Sequence, residues 1–280
     1  MQKTQRFTTR QSMKEKQFEI FRYRDRQMKN IGVHHHDFYE VYFFLGGKVN
    51  FRVQGQFYRL EPGDLLLINP HELHEAQVDP EEQYERIVLW IDRGFLRELG
   101  DCDLSACFDR TAPNHTNLLR PDPVQRAMLQ NILEQMTEEY YGNRFASELC
   151  ARGLLMQFLV EINRMVQQEG ANAHQPTDVI SQILSYIGAC YQQPITLQSL
   201  ADTFYISQYY LSHEFSRRVG TSVYRYIIFK RLMYAKEMMD DGVNPGNVYQ
   251  SCGFGDYTNF YRAFRREFGI SPKEYFQLSR

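Results

Sequence analysis

The sequence predicts a two-domain α+β chain: a small β-barrel or sandwich, then a helical hairpin, then an all-helical C-terminal domain. Three observations predict it. Short aromatic and β-branched runs fill positions 17–92, apolar residues at helical spacing follow Pro121-Asp122-Pro123, and a 49-residue internal repeat occupies the C-terminal third. With 280 residues, 43% hydrophobic and 24% charged, the chain has the balance of globular domains and, at roughly 100–200 residues each, room for two cores.

Residues 38–45 (FYEVYFFL), 48–55 (KVNFRVQG), 64–69 (DLLLIN) and 84–91 (YERIVLWI) carry the side chains that suit a pleated, half-buried surface. Turn residues punctuate them at Gly46-Gly47, Gly55, Pro62-Gly63, Asn69-Pro70 and Asp79-Pro80. Such spacing reads as a sandwich or small barrel. Residues 124–140 and 144–167 then show apolar positions three and four apart, with Leu149, Leu154, Leu155, Phe158, Leu159, Ile162 and Met165 marking the second segment. These predict two helices packed on the barrel. The hairpin is also a candidate dimerisation element, although no heptad repeat is sustained. The polar stretch 167–178 reads as a linker. The expected division is barrel 1–120, hairpin 121–168, linker 169–178 and C-terminal domain 179–280.

Composition narrows the class. No stretch approaches the roughly 18 apolar residues of a membrane span, and the N-terminus lacks the apolar run of a signal peptide. A cytoplasmic protein with no membrane partner is expected. The cysteines (Cys102, Cys107, Cys150, Cys190 and Cys252) are scattered, show no zinc-like two-residue gap, and read as reduced thiols. The net charge of −2 conceals 11 Lys/Arg against 9 Asp/Glu over 177–280. So small an excess makes charge placement, not amount, the evidence for a polyanionic partner.

In the repeat, Ser207 matches Asp256, Leu211 matches Phe260, Phe215 matches Phe264, Gly220 matches Gly269, Ser222 matches Ser271 and Tyr226 matches Tyr275. Ser207 and Asp256 can satisfy free N–H groups of a first helical turn. Leu211/Phe215 and Phe260/Phe264 share one helix face. Gly220 and Gly269 can take the left-handed conformation that ends a helix. A helical run precedes each copy, at 195–204 and 244–252, across turns at Tyr205-Ile206 and Gly253-Phe254-Gly255. The result is helix–turn–helix twice, over 195–219 and 244–268, joined by a long helix at 222–239. Two such units on a rigid connector suit successive major grooves, about 34 Å apart on one face of a duplex.

Here the chain resembles the AraC/XylS family of bacterial regulators. The carrying segments are ISQYYLSHEFSRRVGTSVYRYI, Arg231-Leu232, Ala235 and GFGDYTNFYRAFRREFGISPKEYF, spanning about 100 residues, of which Gly253-Phe254 and 269–272 are the most specific. The family's first-turn glycine aligns with Tyr205, and a small alanine of the second unit with Tyr249. The resemblance implies a homodimeric, sequence-specific regulator of double-stranded DNA, taken as an activator, with RNA polymerase as a further partner. It implies base contacts by Gln208, Tyr209, Ser212 and His213 in the first unit and Tyr257, Thr258 and Arg262 in the second. Arg217, Arg218, Arg265 and Arg266 are assigned to phosphates.

In the N-terminal segment, His34, His36 and Glu40 share parity on an extended strand and so project to one side. With His74 they make a His₃Glu set suited to Fe, Mn, Zn or Ni. The run resembles the cupin pattern HxHxxxE, followed by Pro62-Gly63-Asp64 and a later proline and histidine, which implies a cupin-like barrel. Metal-dependent cupin enzymes carry such a set, whereas AraC-type sensor domains with a similar run generally act as ligand receptors. Residues 70–74 also lack the glycine usual in the enzymes. The leading expectation is a small-molecule pocket of His34, His36, Glu40, Tyr42 and His74, suited to a sugar or another polar metabolite, with no catalytic residue, cofactor or metal. The alternatives are a metal-dependent cupin enzyme fused to the DNA-binding domain, and a constitutive regulator whose barrel is structural. An N-terminal arm, 1–16, is the candidate for an element repositioned by the effector.

Overall fold

The aromatic and β-branched runs fold into two antiparallel sheets. Their strands are β1 (Phe18–Asp25), β2 (Ile31–His34), β3 (Tyr39–Gly46), β4 (Val49–Val53), β5 (Gln56–Arg59), β6 (Leu65–Ile68), β7 (His74–Val78), β8 (Tyr84–Ile91) and β9 (Leu118–Leu119). The sheet orders are β1-β8-β3-β6-β9 and β2-β7-β4-β5. The structure, a computed structural model, describes residues 12–28, 30–100, 102–109, 116–169 and 178–278. Most of the expected N-terminal arm and linker lie outside the described residues. The chain divides into two compact units, Met1–Gln175 and Pro176–Arg280.

The first sheet is buried on both faces. Ile20, Val41, Phe43, Leu65, Leu67, Ile87 and Leu89 enter a core shared with helices. Phe21, Tyr23, Tyr42, Phe44, Leu66, Ile68, Val88 and Trp90 enter the core between the sheets, where they meet Val49, Phe51, Ala76 and Val78. Alternation sends neighbouring side chains into different cores, so these strands read as near-continuous apolar runs. The second sheet is one-sided: Val49, Phe51 and Val53 are buried while Asn50 between them is exposed.

The helices of this unit are α1 (Arg93–Glu98), α2 (Pro123–Tyr140) and α3 (Ser147–Glu169). Asp122 caps α2 by accepting from the backbone N–H groups of Val124 and Gln125, and the Gln125 side chain accepts from the Asp122 N–H. Pro123 starts the helix where its missing N–H costs nothing. Leu129, Ile132, Leu133 and Met136 of α2 and Leu155, Phe158, Leu159 and Ile162 of α3 share the core of the first sheet. The Tyr141 hydroxyl donates to the Ile20 carbonyl across that contact at 2.6 Å. Leu149 does not belong to the packed stripe; it is 68% exposed, on the opposite side of α3 from Ser147 and Ala151, which are buried two residues before and after it.

The second unit comprises α4 (Val179–Cys190), α5 (Leu197–Thr203), α6 (Gln208–Val219), α7 (Val223–Asp240), α8 (Pro245–Ser251), α9 (Tyr257–Phe268) and α10 (Pro272–Leu278). The sequence repeat reappears as matched capping. Ser207 accepts from Tyr210 N–H at 3.1 Å and Asp256 from Asn259 N–H at 2.7 Å. Gly220 and Gly269 end α6 and α9 at φ +78° and +76°. Ser222 and Ser271 then cap α7 and α10. Among the described residues, no helix is long and apolar enough to cross a membrane.

Candidate nucleic-acid interface and sensor site

Each recognition helix is split lengthwise, as its 3.6-residue period demands. On α6, Leu211, Phe215 and Val219 are buried, while Gln208, Tyr209, Ser212 and His213 are exposed. On α9, Phe260 and Phe264 are buried, while Tyr257, Thr258 and Arg262 are exposed. Tyr209, Ser212, His213, Ser216 and Arg217 line an open hollow of about 550 Å³. Tyr205 takes the left-handed turn conformation itself, at φ +53°, with its ring 95% exposed. Tyr249 finds its room edge-on to Tyr257, ring centroids 5.8 Å apart.

The four later arginines differ in their surroundings. Arg265 and Arg266 are exposed in the last turn of α9. Arg217 is held in a fork by Glu214, at 2.9 and 2.5 Å. Arg218 is half-buried between Glu214 at 2.8 Å and Asp178, the N-cap of α4, at 2.7 Å. Hydrogen bonds from Arg217 first, and then from Arg218, pull the Glu214 carboxyl down to about 2 against the opposing effect of burial. Asp178 carries a depressed carboxyl as well: burial raises it, but hydrogen bonds from Ser181 and the Arg218 charge outweigh that effect.

In the first unit, His36, Glu40 and His74 converge between the sheets, each buried. His34, His36 and Glu40 do not share one strand, as their parity suggested. β2 ends at His34 and β3 begins at Tyr39, because the chain turns a corner at 35–38. His36 is folded back at that corner, its ring stacked on Phe38 at 3.9 Å, its Nδ1 2.9 Å from the Phe38 carbonyl, and its own carbonyl accepting from His71 N–H. His36 Nε2 lies 2.8 Å from Glu40 Oε2. His74 enters from β7, with Nδ1 2.8 Å from the Glu72 carbonyl and Nε2 3.9 Å from the same Glu40 oxygen. His34 flanks the group, half-buried, ring centroid 4.1 Å from that of His74 and Nδ1 2.9 Å from the Gly32 carbonyl. Burial lowers the pKa of His34, and lowers that of His74 much further with help from the His34 and His36 rings. Tyr42 shares the interior face, but its hydroxyl bonds to that of Tyr84.

Two family descriptions match the chain: the AraC-like ligand binding domain over residues 17–159, and a helix-turn-helix domain over 200–278. The first alone spans just over half the chain. The chain belongs to the AraC family of transcription regulators. It is 25% identical over 250 residues to the HTH-type transcriptional activator RhaS of Enterobacter sp. (strain 638), covering 86% of each protein. It is 26% identical over 249 residues to RhaS of Salmonella paratyphi B, again covering 86% of each. Among solved structures it is similar to apo ToxT from Vibrio cholerae, at 15% identity and a TM-score of 0.41, with 95% of this chain and 99% of that one covered.

This AraC-family barrel also holds polar groups that the motif reading missed. Tyr84 and Arg86 face the space between the sheets, and the Arg86 guanidinium lies over the rings of Tyr84 and Tyr23 at 4.2 and 4.7 Å. Asp25 pairs with it at 2.5 Å. The signal was present: Tyr84, Arg86, Val88 and Trp90 share strand parity, so an arginine there is aimed inward.

Proposed function

We propose that the chain is a transcription activator that reads double-stranded DNA through α6 and α9 and responds to a small polar metabolite, a sugar or similar, bound in the barrel. The observation that carries this reading is the pair of matched recognition helices. Each sets an exposed polar face over a buried apolar one between an N-cap and a left-handed glycine. Gln208, Tyr209, Ser212, His213, Tyr257, Thr258 and Arg262 are the base-reading set. Arg217, Arg218, Arg265 and Arg266 serve phosphates, Arg218 after exchanging its acidic partners. The sensor is 1–120, with His34, His36, Glu40, Tyr42 and His74 as its polar lining. The hairpin 121–168 pairs two copies through the faces turned away from the barrel, where Val124, Phe145 and Leu149 are exposed. RNA polymerase is the partner of the DNA-bound dimer. Activation is favoured by the likeness to proteins named as activators. The metabolite must bind the two arrangements of the regulator with different affinity to alter DNA binding.

Selection of bound sequences from a random duplex pool tests the DNA reading, with half-sites one helical turn apart expected and unselective binding its refutation. Arg262→Ala is expected to cost roughly 1–3 kcal/mol of binding and to relax preference at one base position. Equal weakening on every duplex, with a smaller salt slope, would make Arg262 a phosphate contact instead. Glu214→Gln is expected to strengthen DNA binding and to steepen its salt slope by about one, because Arg217 is released to a phosphate. Lowering the pH to 5 should not reproduce this, since the Glu214 carboxyl, held at about 2, stays ionised there. Gel-shift titrations at several salt concentrations check both outcomes.

A further inference from the structure

The His36–Glu40–His74 cluster has a hydrogen-bond pattern that points to a cation. A backbone carbonyl only accepts, so the Phe38 and Glu72 carbonyls place the proton of each imidazole on Nδ1. Both Nε2 atoms then present lone pairs to the interior. His36 Nε2 stands 2.8 Å from a carboxylate oxygen, two acceptors facing each other unless positive charge joins them. His74 Nε2 is buried and makes no hydrogen bond. A single extra proton on His36 would serve that pair and leave His74 as it is. One metal ion would serve all three groups.

The dimensions agree. The three candidate ligand atoms lie within 4.8 Å of one another. Metal–ligand bonds of about 2.0–2.2 Å set tetrahedral ligands roughly 3.3 Å apart, and the two distances to Glu40 Oε2, 2.8 and 3.9 Å, straddle that value. The ligands come from three segments, the corner at 35–38, β3 and β7, and each histidine carries the carbonyl partner on its other nitrogen that metal-bound imidazoles almost always have. We propose that the barrel binds one divalent first-row transition-metal ion, such as Zn, Fe(II), Mn, Co or Ni, through His36 Nε2, His74 Nε2 and the Glu40 carboxylate, leaving a coordination position open to an oxygen donor. His34 stands beside this set and is not one of the ligands. The ion goes beyond the metabolite reading, because it is bound whether or not a metabolite enters.

The test uses the full chain, stripped with a chelator and titrated with Co(II) and with Zn(II). Metal is counted after equilibrium dialysis, and the visible spectrum of the Co(II) form is recorded. One ion per chain is expected, with the d–d absorption of a four- or five-coordinate centre. His36→Ala and His74→Ala should each abolish it. Glu40→Gln should weaken it at least as much as the roughly 10–100-fold that loss of an outer-shell partner costs. His35→Ala, altering a neighbouring histidine outside the set, should keep one ion. Folded wild-type protein that takes up neither metal would overturn the proposal even if every variant misfolded. So would uptake that survives His36→Ala and His74→Ala together. Gel shifts and metabolite-induced thermal shifts on the chelator-treated protein separate the two readings: if they persist while metal uptake fails, the regulator stands and the metal site falls.

Discussion

Gly253→Ala is expected to lower the unfolding free energy of the C-terminal unit by roughly 2–5 kcal/mol, against about 1–2 kcal/mol for Gly269→Ala. Both glycines take left-handed conformations, at φ +80° and +76°, so both substitutions carry the backbone cost. Their surroundings differ. A Cβ on Gly269 meets nothing within 4 Å, whereas one on Gly253 falls 2.8 Å from the carbonyl oxygens of Tyr191 and Gln192 and 3.0 Å from Arg231 Nε. The Tyr191 carbonyl cannot yield easily. Arg231 of α7 donates from Nε to the Tyr191 carbonyl and from Nη2 to the Gln193 carbonyl, both at 2.8 Å, closing the C-terminal end of α4. The turn of the second helix–turn–helix unit therefore sits directly on a junction that joins α4 to α7. Pushing it away costs a charge-assisted bond as well as contact. Urea unfolding of the full chain checks the difference between the two variants. Equal losses would mean that the junction relaxes freely and that only the backbone conformation matters at Gly253.

The same junction explains what was legible in the sequence. Caps, core positions and terminating glycines are local signals, and the 49-residue repeat supplied each of them twice. Both recognition helices and the long connector consequently fall within a residue or two of expectation, and Gly253-Phe254 was visible as a specific pair. That Arg231 closes the end of α4 depends on a contact 40 residues away, which no local pattern reveals. In the barrel, the strand runs were legible from their aromatic and β-branched residues and turn punctuation, but strand order rests on long-range pairing and the site on a local corner. His36 reaches Glu40 because the chain turns a corner at 35–38, where strand parity no longer applies. Leu149 stands apart for a different reason: it is two residues from Ala151 and five from Leu154, out of phase with the buried stripe, so its apolar side chain faces away from the core. Arg86 carries no local signal beyond its strand parity, and its meaning comes from Asp25, 61 residues away.

Asp25→Ala is expected to destabilise the barrel by about 3 kcal/mol, at the low end for breaking a buried ion pair because the Asp25 side chain keeps 16% of its exposure. The cost falls on what remains. Arg86 is 1% exposed, so losing Asp25 removes a carboxylate from beside a buried guanidinium that lies over the rings of Tyr23 and Tyr84. The rings of Tyr23 and Tyr84 attract the cation, which moderates the penalty without replacing a carboxylate. The double variant Asp25→Ala/Arg86→Met decides whether charge or packing is responsible. Methionine keeps much of the volume and removes the charge, and exchanging a buried pair for apolar side chains is often neutral, so most of the lost stability should return. Thermal and urea unfolding of both variants checks this. If the double variant is as unstable as Asp25→Ala, then Asp25 acts through its other contacts, and the arginine in the barrel is not the buried charge that the aspartate neutralises.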